Sequence, residues 1–158
     1  MPYEYHGTIK EITDGDTLVV DIDLGFNIIL FDQKVRLIGV DTPESRTTNK
    51  IEKQFGLASK EFVKQFVSEC LNKEVIIRTH ISEKTDANGK EKFGRLLAEI
   101  INPKSNKNLN EELINNNFAV RYMGENKNNV KEQHIKNRKI LIDKKIVNVS
   151  YKDAEIIS

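Results

Sequence analysis

Apolar and polar residues alternate through the first forty positions, the period of half-buried strands. The run Gly7–Thr13 leads into Asp14-Gly15, a two-residue hairpin signal because both positions tolerate positive φ. On the return run, Asp16–Leu24, Leu18, Val20, Ile22 and Leu24 share one face and Thr17, Val19, Asp21 and Asp23 the other. Gly25 then turns the chain into a third run, Phe26–Val40, long enough that it must bend or bulge near Asp32-Gln33-Lys34. Between Phe55 and Leu71 the spacing becomes three-to-four. Phe55, Ala58, Phe62, Val63, Phe66, Val67, Cys70 and Leu71 form an apolar stripe, and Lys60, Glu61, Lys64, Gln65 and Glu69 face away from it, which predicts an amphipathic helix. Two further strands follow, Glu74–His80 and Arg95–Ile101, and then helices near Leu109–Asn117 and Val130–Ile142.

Three strands, a helix, two strands and more helices is the order of an α+β fold: a five-stranded Greek-key β-barrel of the oligonucleotide-binding type with about three α-helices. No repeat, linker or composition shift divides the 158 residues. Residues 1–145 are therefore expected to form one domain and 146–158 a C-terminal tail, in which Val147, Val149 and Tyr151 alternate like a short strand. With 38% hydrophobic and 31% charged residues, Gly 8 and Pro 3, a core can form and the disordered and fibrous classes drop out. Lys+Arg 25 against Asp+Glu 24 leaves a net charge of +1, which excludes a globally basic coating of DNA but not a local basic face. Cys70 stands alone, so neither an intramolecular disulfide nor a Cys/His zinc site is expected, and a buried helical thiol is the plain reading. No apolar run approaches the ~20 residues of a membrane helix, and Met1–His6 lacks the pattern of an export signal. The expectation is a cytoplasmic chain with no membrane association, or a secreted one if a signal has been removed.

Chemistry concentrates at strand ends. Asp16 shares the parity of Leu18, Val20 and Ile22, so it either enters the barrel rim as a partly buried carboxylate in need of a partner or completes the Asp14-Gly15 turn. In Arg36-Leu37-Ile38-Gly39-Val40-Asp41-Thr42-Pro43-Glu44, Pro43 stiffens a corner carrying two carboxylates. Such a pair can divide its work between binding a hard cation and taking a proton from water, or Thr42-Pro43-Glu44 can simply open a helix. Gly94 allows a sharp turn before Arg95, whose side chain faces away from Leu96, Ala98 and Ile100.

Asp14-Gly15-Asp16-Thr17, then Arg36 to Glu44, then Lys92-Phe93-Gly94-Arg95-Leu96-Leu97-Ala98 closely resemble, in order and spacing, the three signature segments of the staphylococcal nuclease family. Glu132-Gln133-His134 adds to a likeness that runs from about Gly7 to about Ile142. The resemblance implies Ca²⁺-dependent hydrolysis of DNA and RNA phosphodiesters to 3′-phosphate and 5′-hydroxyl ends. It implies Asp16 and Asp41 as carboxylate ligands of Ca²⁺ with the Thr42 carbonyl, Glu44 as general base, and Arg36 and Arg95 on the scissile phosphate. Lys92, Phe93 and Tyr122 become substrate contacts. Phe93 stands where the family commonly carries Tyr, so a hydroxyl contact is lost there, and Tyr122 either stacks on a base or packs. The partner is nucleic acid, the chain is expected to be a monomer, and no obligate protein partner is implied. The rival is a catalytically silent module of the same fold that binds nucleic acid or peptide. Silent copies lose the carboxylates or arginines, whereas Asp16, Arg36, Asp41, Glu44 and Arg95 are all present.

Overall fold

In the computed structural model, which describes residues 3–80, 85, 94–124 and 126–157, β1 (Tyr3–Asp14) folds back antiparallel onto β2 (Thr17–Asp23). The two-residue turn is Gly15-Asp16, one position later than the expected Asp14-Gly15, because Asp14 still pairs with Thr17. Leu18, Val20 and Ile22 point into the core as their parity requires. Phe26 and Asn27, at φ 55° and 63°, form the next turn themselves, so the third run starts as β3 (Ile29–Leu37) rather than at Phe26. Its expected bulge lies at Asp32, φ 54°, where the register with β2 shifts. The pair β4 (Val40–Asp41) leaves the barrel, while β5 (Glu74–Thr79) and β6 (Leu96–Ile101) complete it in the order β1-β2-β3-β6-β5. Closure runs through a short parallel pairing of β3 with β6 over Val35–Leu37.

The helix α1 (Lys50–Ser68) begins ahead of its apolar stripe because the Asn49 side chain accepts from the amides of Ile51 and Glu52, both at 3.1 Å. Thr42-Pro43-Glu44 is thus not a helix start. Phe55, Val63, Phe66 and Val67 pack into the core. Leu71 lies beyond the helix in a 3-10 turn and is exposed, because the stripe ends where the helix does. Cys70 is buried, its thiol donating to the Phe66 carbonyl at 3.5 Å.

Beyond the barrel come α2 (Leu109–Asn115), β7 (Val120–Arg121), which pairs antiparallel with β4, α3 (Lys131–Asp143) and α4 (Tyr151–Ala154). Asn110 fastens α2 to the strand ends, its amide nitrogen donating to the carbonyls of Ile38 at 2.9 Å and Ala98 at 3.2 Å. In the tail, the alternation of Val147, Val149 and Tyr151 does not make a strand. Ser150 caps the single turn of α4 instead, and Val147 and Ala154 are buried. Arg138 of α3 reaches under this turn and donates to the carbonyls of Ala154 and Ile156 at 3.2 and 3.3 Å, its guanidinium 5.0 Å from the Phe55 ring centre.

On the barrel wall, Glu99 meets His80 Nε2 at 2.7 Å, Asn108 Nδ2 at 2.9 Å and Arg78 Nη1 at 3.5 Å. Burial alone would raise its pKa, but the hydrogen bonds from His80 and Asn108 and the charges of His80 and Arg78 hold it below the ordinary value of 4.5. A depressed folded pKa stabilises the protein above the ordinary value and loses that contribution as pH falls through the folded one. Glu99→Gln is therefore expected to cost about 1 kcal/mol in urea unfolding at neutral pH. The gap should narrow below the ordinary carboxylate pKa and then close, and a gap independent of pH would contradict the assignment.

Candidate active site

Four chain segments meet at one end of the barrel. The β1–β2 turn brings Asp16, the end of β3 brings Arg36, β4 and the corner after it bring Asp41 and Glu44, and the start of β6 brings Arg95. These five side chains and Tyr122 line a single cleft of about 720 Å³. Thr42 is buried beside the cleft and does not line it. Lys92 and Phe93 lie outside the described residues.

Asp16 enters the rim with its partners in place. Its carboxylate accepts from the Thr42 amide at 3.2 Å and the Thr17 hydroxyl at 3.0 Å, and its carbonyl accepts from the Leu37 amide at 2.8 Å. Arg36 bridges the two aspartates, Nη2 standing 3.4 Å from Asp16 and 3.7 Å from Asp41, while Nη1 donates to the Leu37 carbonyl at 2.8 Å. With 14% of the Arg36 side chain and 10% of the Asp41 side chain exposed, this contact is poorly screened by solvent.

Asp41 gathers further positive groups. His134 Nε2 lies 2.9 Å from Oδ2, and Lys127 Nζ lies 3.3 Å from Oδ1 and 5.7 Å from the Tyr122 ring centre. Burial pushes the Asp41 carboxyl up, but the hydrogen bond from His134 and the charges of Lys127, His134 and Arg36 outweigh it and hold the group below its ordinary value. Glu44 goes the other way. Though exposed, it is partly desolvated by the cleft walls and repelled by Asp14 and Asp16, so its pKa is raised. Environments that separate the carboxylates in this way suit one to stay ionised and the other to exchange a proton.

Several groups that build the site hold roles that the local sequence does not assign, although Asp14, Gly15 and His134 fall within the segments that carry the family resemblance. Asp14 accepts from both the amide and the hydroxyl of Ser45, tying the loop after Glu44 to the β1–β2 turn. Gly56 lets that loop lie on α1, since a Cβ there would come within 2.2 Å of the Glu44 carbonyl oxygen. At Gly15 a Cβ would stand 2.8 Å from Ser59 Cβ and 3.0 Å from Thr42 Oγ1. Lys127 falls in a polar stretch that reads as a plain loop. His134 lies on the buried side of α3 with Asn137, Arg138 and Leu141, a face whose i, i+3, i+4, i+7 spacing is helical but whose residues are mostly polar. Such a face has no apolar periodicity.

The chain thus combines a closed five-stranded barrel with carboxylates and guanidiniums gathered at one rim. It belongs to the family described as Staphylococcal nuclease homologue, which it matches over residues 34–148. That stretch holds Arg36, Asp41, Glu44, Arg95, Tyr122 and His134 and begins after Asp16. The chain is similar to the uncharacterized protein MJ1439 of Methanocaldococcus jannaschii, with 34% identity over 137 residues, covering 75% of this chain and 60% of that protein. It is 29% identical over 124 residues to Endonuclease YhcR of Bacillus subtilis, covering 75% of this chain and 9% of YhcR. With the Thermonuclease of Staphylococcus intermedius the identity is 36% over 90 residues, 57% of this chain and 45% of the thermonuclease. The chain thus spans less than two-thirds of the length of each of these relatives.

Gly56→Ala tests the close approach that places Glu44. The added methyl meets backbone, not a side chain that could turn aside, so the loop must move. The expected result is a cooperative melt at a lower temperature, a loss of about 1 kcal/mol or more, and an unchanged melt would contradict the close approach.

Proposed function

We propose that this cleft hydrolyses phosphodiester bonds of DNA or RNA with the help of Ca²⁺, leaving 3′-phosphate and 5′-hydroxyl ends. The observation that most supports this reading is the convergence of three carboxylates and two guanidiniums, from separate chain segments, on one cleft.

The donor set suits a hard cation. Asp16 and Asp41 turn low-exposure carboxylates toward the same space, and the positively charged groups of Arg36 and Lys127 lie against them, marking where positive charge is wanted. Among the described residues no group of three His, Cys, Asp or Glu side chains could hold an ion. The family resemblance assigns the protein's share of the shell to Asp16, Asp41 and the Thr42 carbonyl; because Thr42 does not line the cleft, the two aspartates carry the proposed site, with solvent and substrate oxygens completing it, as oxygen-preferring ions allow. When bound, the ion supplies Lewis-acid polarisation of the phosphate.

The chain's own residues do the rest. Glu44, its pKa raised by desolvation and by Asp14 and Asp16, is a stronger base than an ordinary glutamate and takes the proton of the attacking water. Arg36 and Arg95 present planar forks of donors that match phosphate oxygens and offset the extra negative charge of a five-coordinate transition state, which a single ammonium does less well. Tyr122, on the cleft wall, offers a ring face to a base. His134 orients Asp41 through its 2.9 Å hydrogen bond.

Digestion of single-stranded DNA and of RNA tests the reading. Cleavage is expected with added Ca²⁺ and should stop on chelation, and full activity in excess chelator would overturn the calcium assignment. Glu44→Gln and Arg95→Ala should each lower turnover by about 10²-fold or more with the melt unchanged. Binding of nucleic acid without cleavage by the wild-type chain would support the silent module instead, and 5′-phosphate ends would indicate a different chemistry.

A further inference from the structure

Three groups surround the Asp41 carboxylate, and they differ in how firmly they are held. His134 stands 2.9 Å from Oδ2, on a side chain only 14% exposed. Arg36 stands 3.7 Å from Oδ1, is equally enclosed, and commits its other terminal nitrogen to the Leu37 carbonyl at 2.8 Å. Lys127 is the nearer cation on Oδ1, at 3.3 Å, yet 60% of its side chain is exposed. An exposed lysine pair is weak, because solvent screens it and a long side chain gives up its freedom to hold one geometry.

The root of Lys127 is fixed although its head is not. The Asn126 side chain accepts from the Asn128 amide at 2.9 Å and caps the 3-10 turn Lys127–Val130, which runs directly into α3. From that root the ammonium reaches Asp41 and lies 5.7 Å from the Tyr122 ring centre, the places proposed for the metal and for a substrate base. One tethered charge covers both.

A divalent ion and an ammonium on the same carboxylate oxygen repel, and the ammonium is the less firmly held of the two. Arg36 would have to give up its bond to Leu37 in order to withdraw, whereas Lys127 can rotate about its flexible stem into solvent. Because its root stands at the cleft wall, the released head stays among the groups that face the substrate. We propose that Lys127 is an exchangeable counter-ion of the cleft, which holds Asp41 while no metal is bound, yields that oxygen to Ca²⁺, and then turns to a phosphate oxygen of the nucleic acid. The inference rests on the phosphodiesterase activity proposed above and adds a residue that couples cation and substrate. No covalent bond changes; one ion pair replaces another, and the exchange uncovers the Tyr122 ring. By linkage, whatever Ca²⁺ adds to nucleic-acid affinity, nucleic acid adds to Ca²⁺ affinity, and Lys127 supplies part of that factor.

Two binding measurements on the full chain test this. In calorimetric titration without nucleic acid, Lys127→Gln should bind Ca²⁺ about two- to fivefold more tightly than the wild type, the worth of an exposed ion pair. Lys127→Arg keeps the charge and should not gain affinity. Fluorescence anisotropy of a labelled oligothymidylate, in a Glu44→Gln background where cleavage is slow, is the second measurement. Adding Lys127→Gln there should weaken oligonucleotide binding about threefold with saturating Ca²⁺ and leave it unchanged with chelator. Unchanged or weaker Ca²⁺ binding by Lys127→Gln, or a gain in Lys127→Arg, would overturn the inference and leave the cation site standing. So would an equal loss of oligonucleotide affinity with and without Ca²⁺, which would make Lys127 an ordinary phosphate contact. No Ca²⁺ binding by any of the chains would overturn the cation site and the inference together.

Discussion

Two carboxylates set side by side away from bulk water can both stay ionised only where positive charge lies between or beside them. Asp16 and Asp41 meet that condition through Arg36, which reaches both, and through Lys127 and His134, which hold Asp41 from the other side. Removing the positive groups would leave repulsion that neutralises one carboxylate or pushes the segments apart. The cleft is thus a place where the protein's own electrostatics already require positive charge.

The barrel supplies the stiffness that holds this balance. Asp16, in the turn just before β2, is fixed by bonds to Thr17, Thr42 and Leu37, which tie the turn, β3 and the Asp41 corner together. Glu44 is held by a different device: Asp14 grips Ser45, and Gly56 lets the loop press on α1. The C-terminal residues contribute at a distance. Arg138 binds the backbone of α4 from the same face of α3 that presents His134 to Asp41, so the tail helps seat the helix that orients a site carboxylate.

Much of this could be read from the chain, and the parts that could not share a cause. Strand parity placed Leu18, Val20 and Ile22 inside and offered the rim as one of two places for Asp16, and the family resemblance grouped Arg36, Asp41, Glu44 and Arg95, which line one cleft. Each of those inferences uses neighbours in sequence. What escaped depends on neighbours in space: the partners of Asp14 and His134 are 31 and 93 positions away. Helix α3 also buries Asn137 and Arg138, where periodicity arguments look for apolar residues. The tail erred for the reverse reason, since Val147, Val149 and Tyr151 alternate by accident over too few residues to outweigh the Ser150 cap.

The central claim is that Asp16 and Asp41 form one cation site whose charge balance organises the cleft. Calorimetric titration of Ca²⁺ into the wild-type chain and into Asp41→Asn, without nucleic acid present, tests it most directly. The account predicts one binding event for the wild type and its loss in a variant that still melts cooperatively. Equal Ca²⁺ binding by both chains would contradict it.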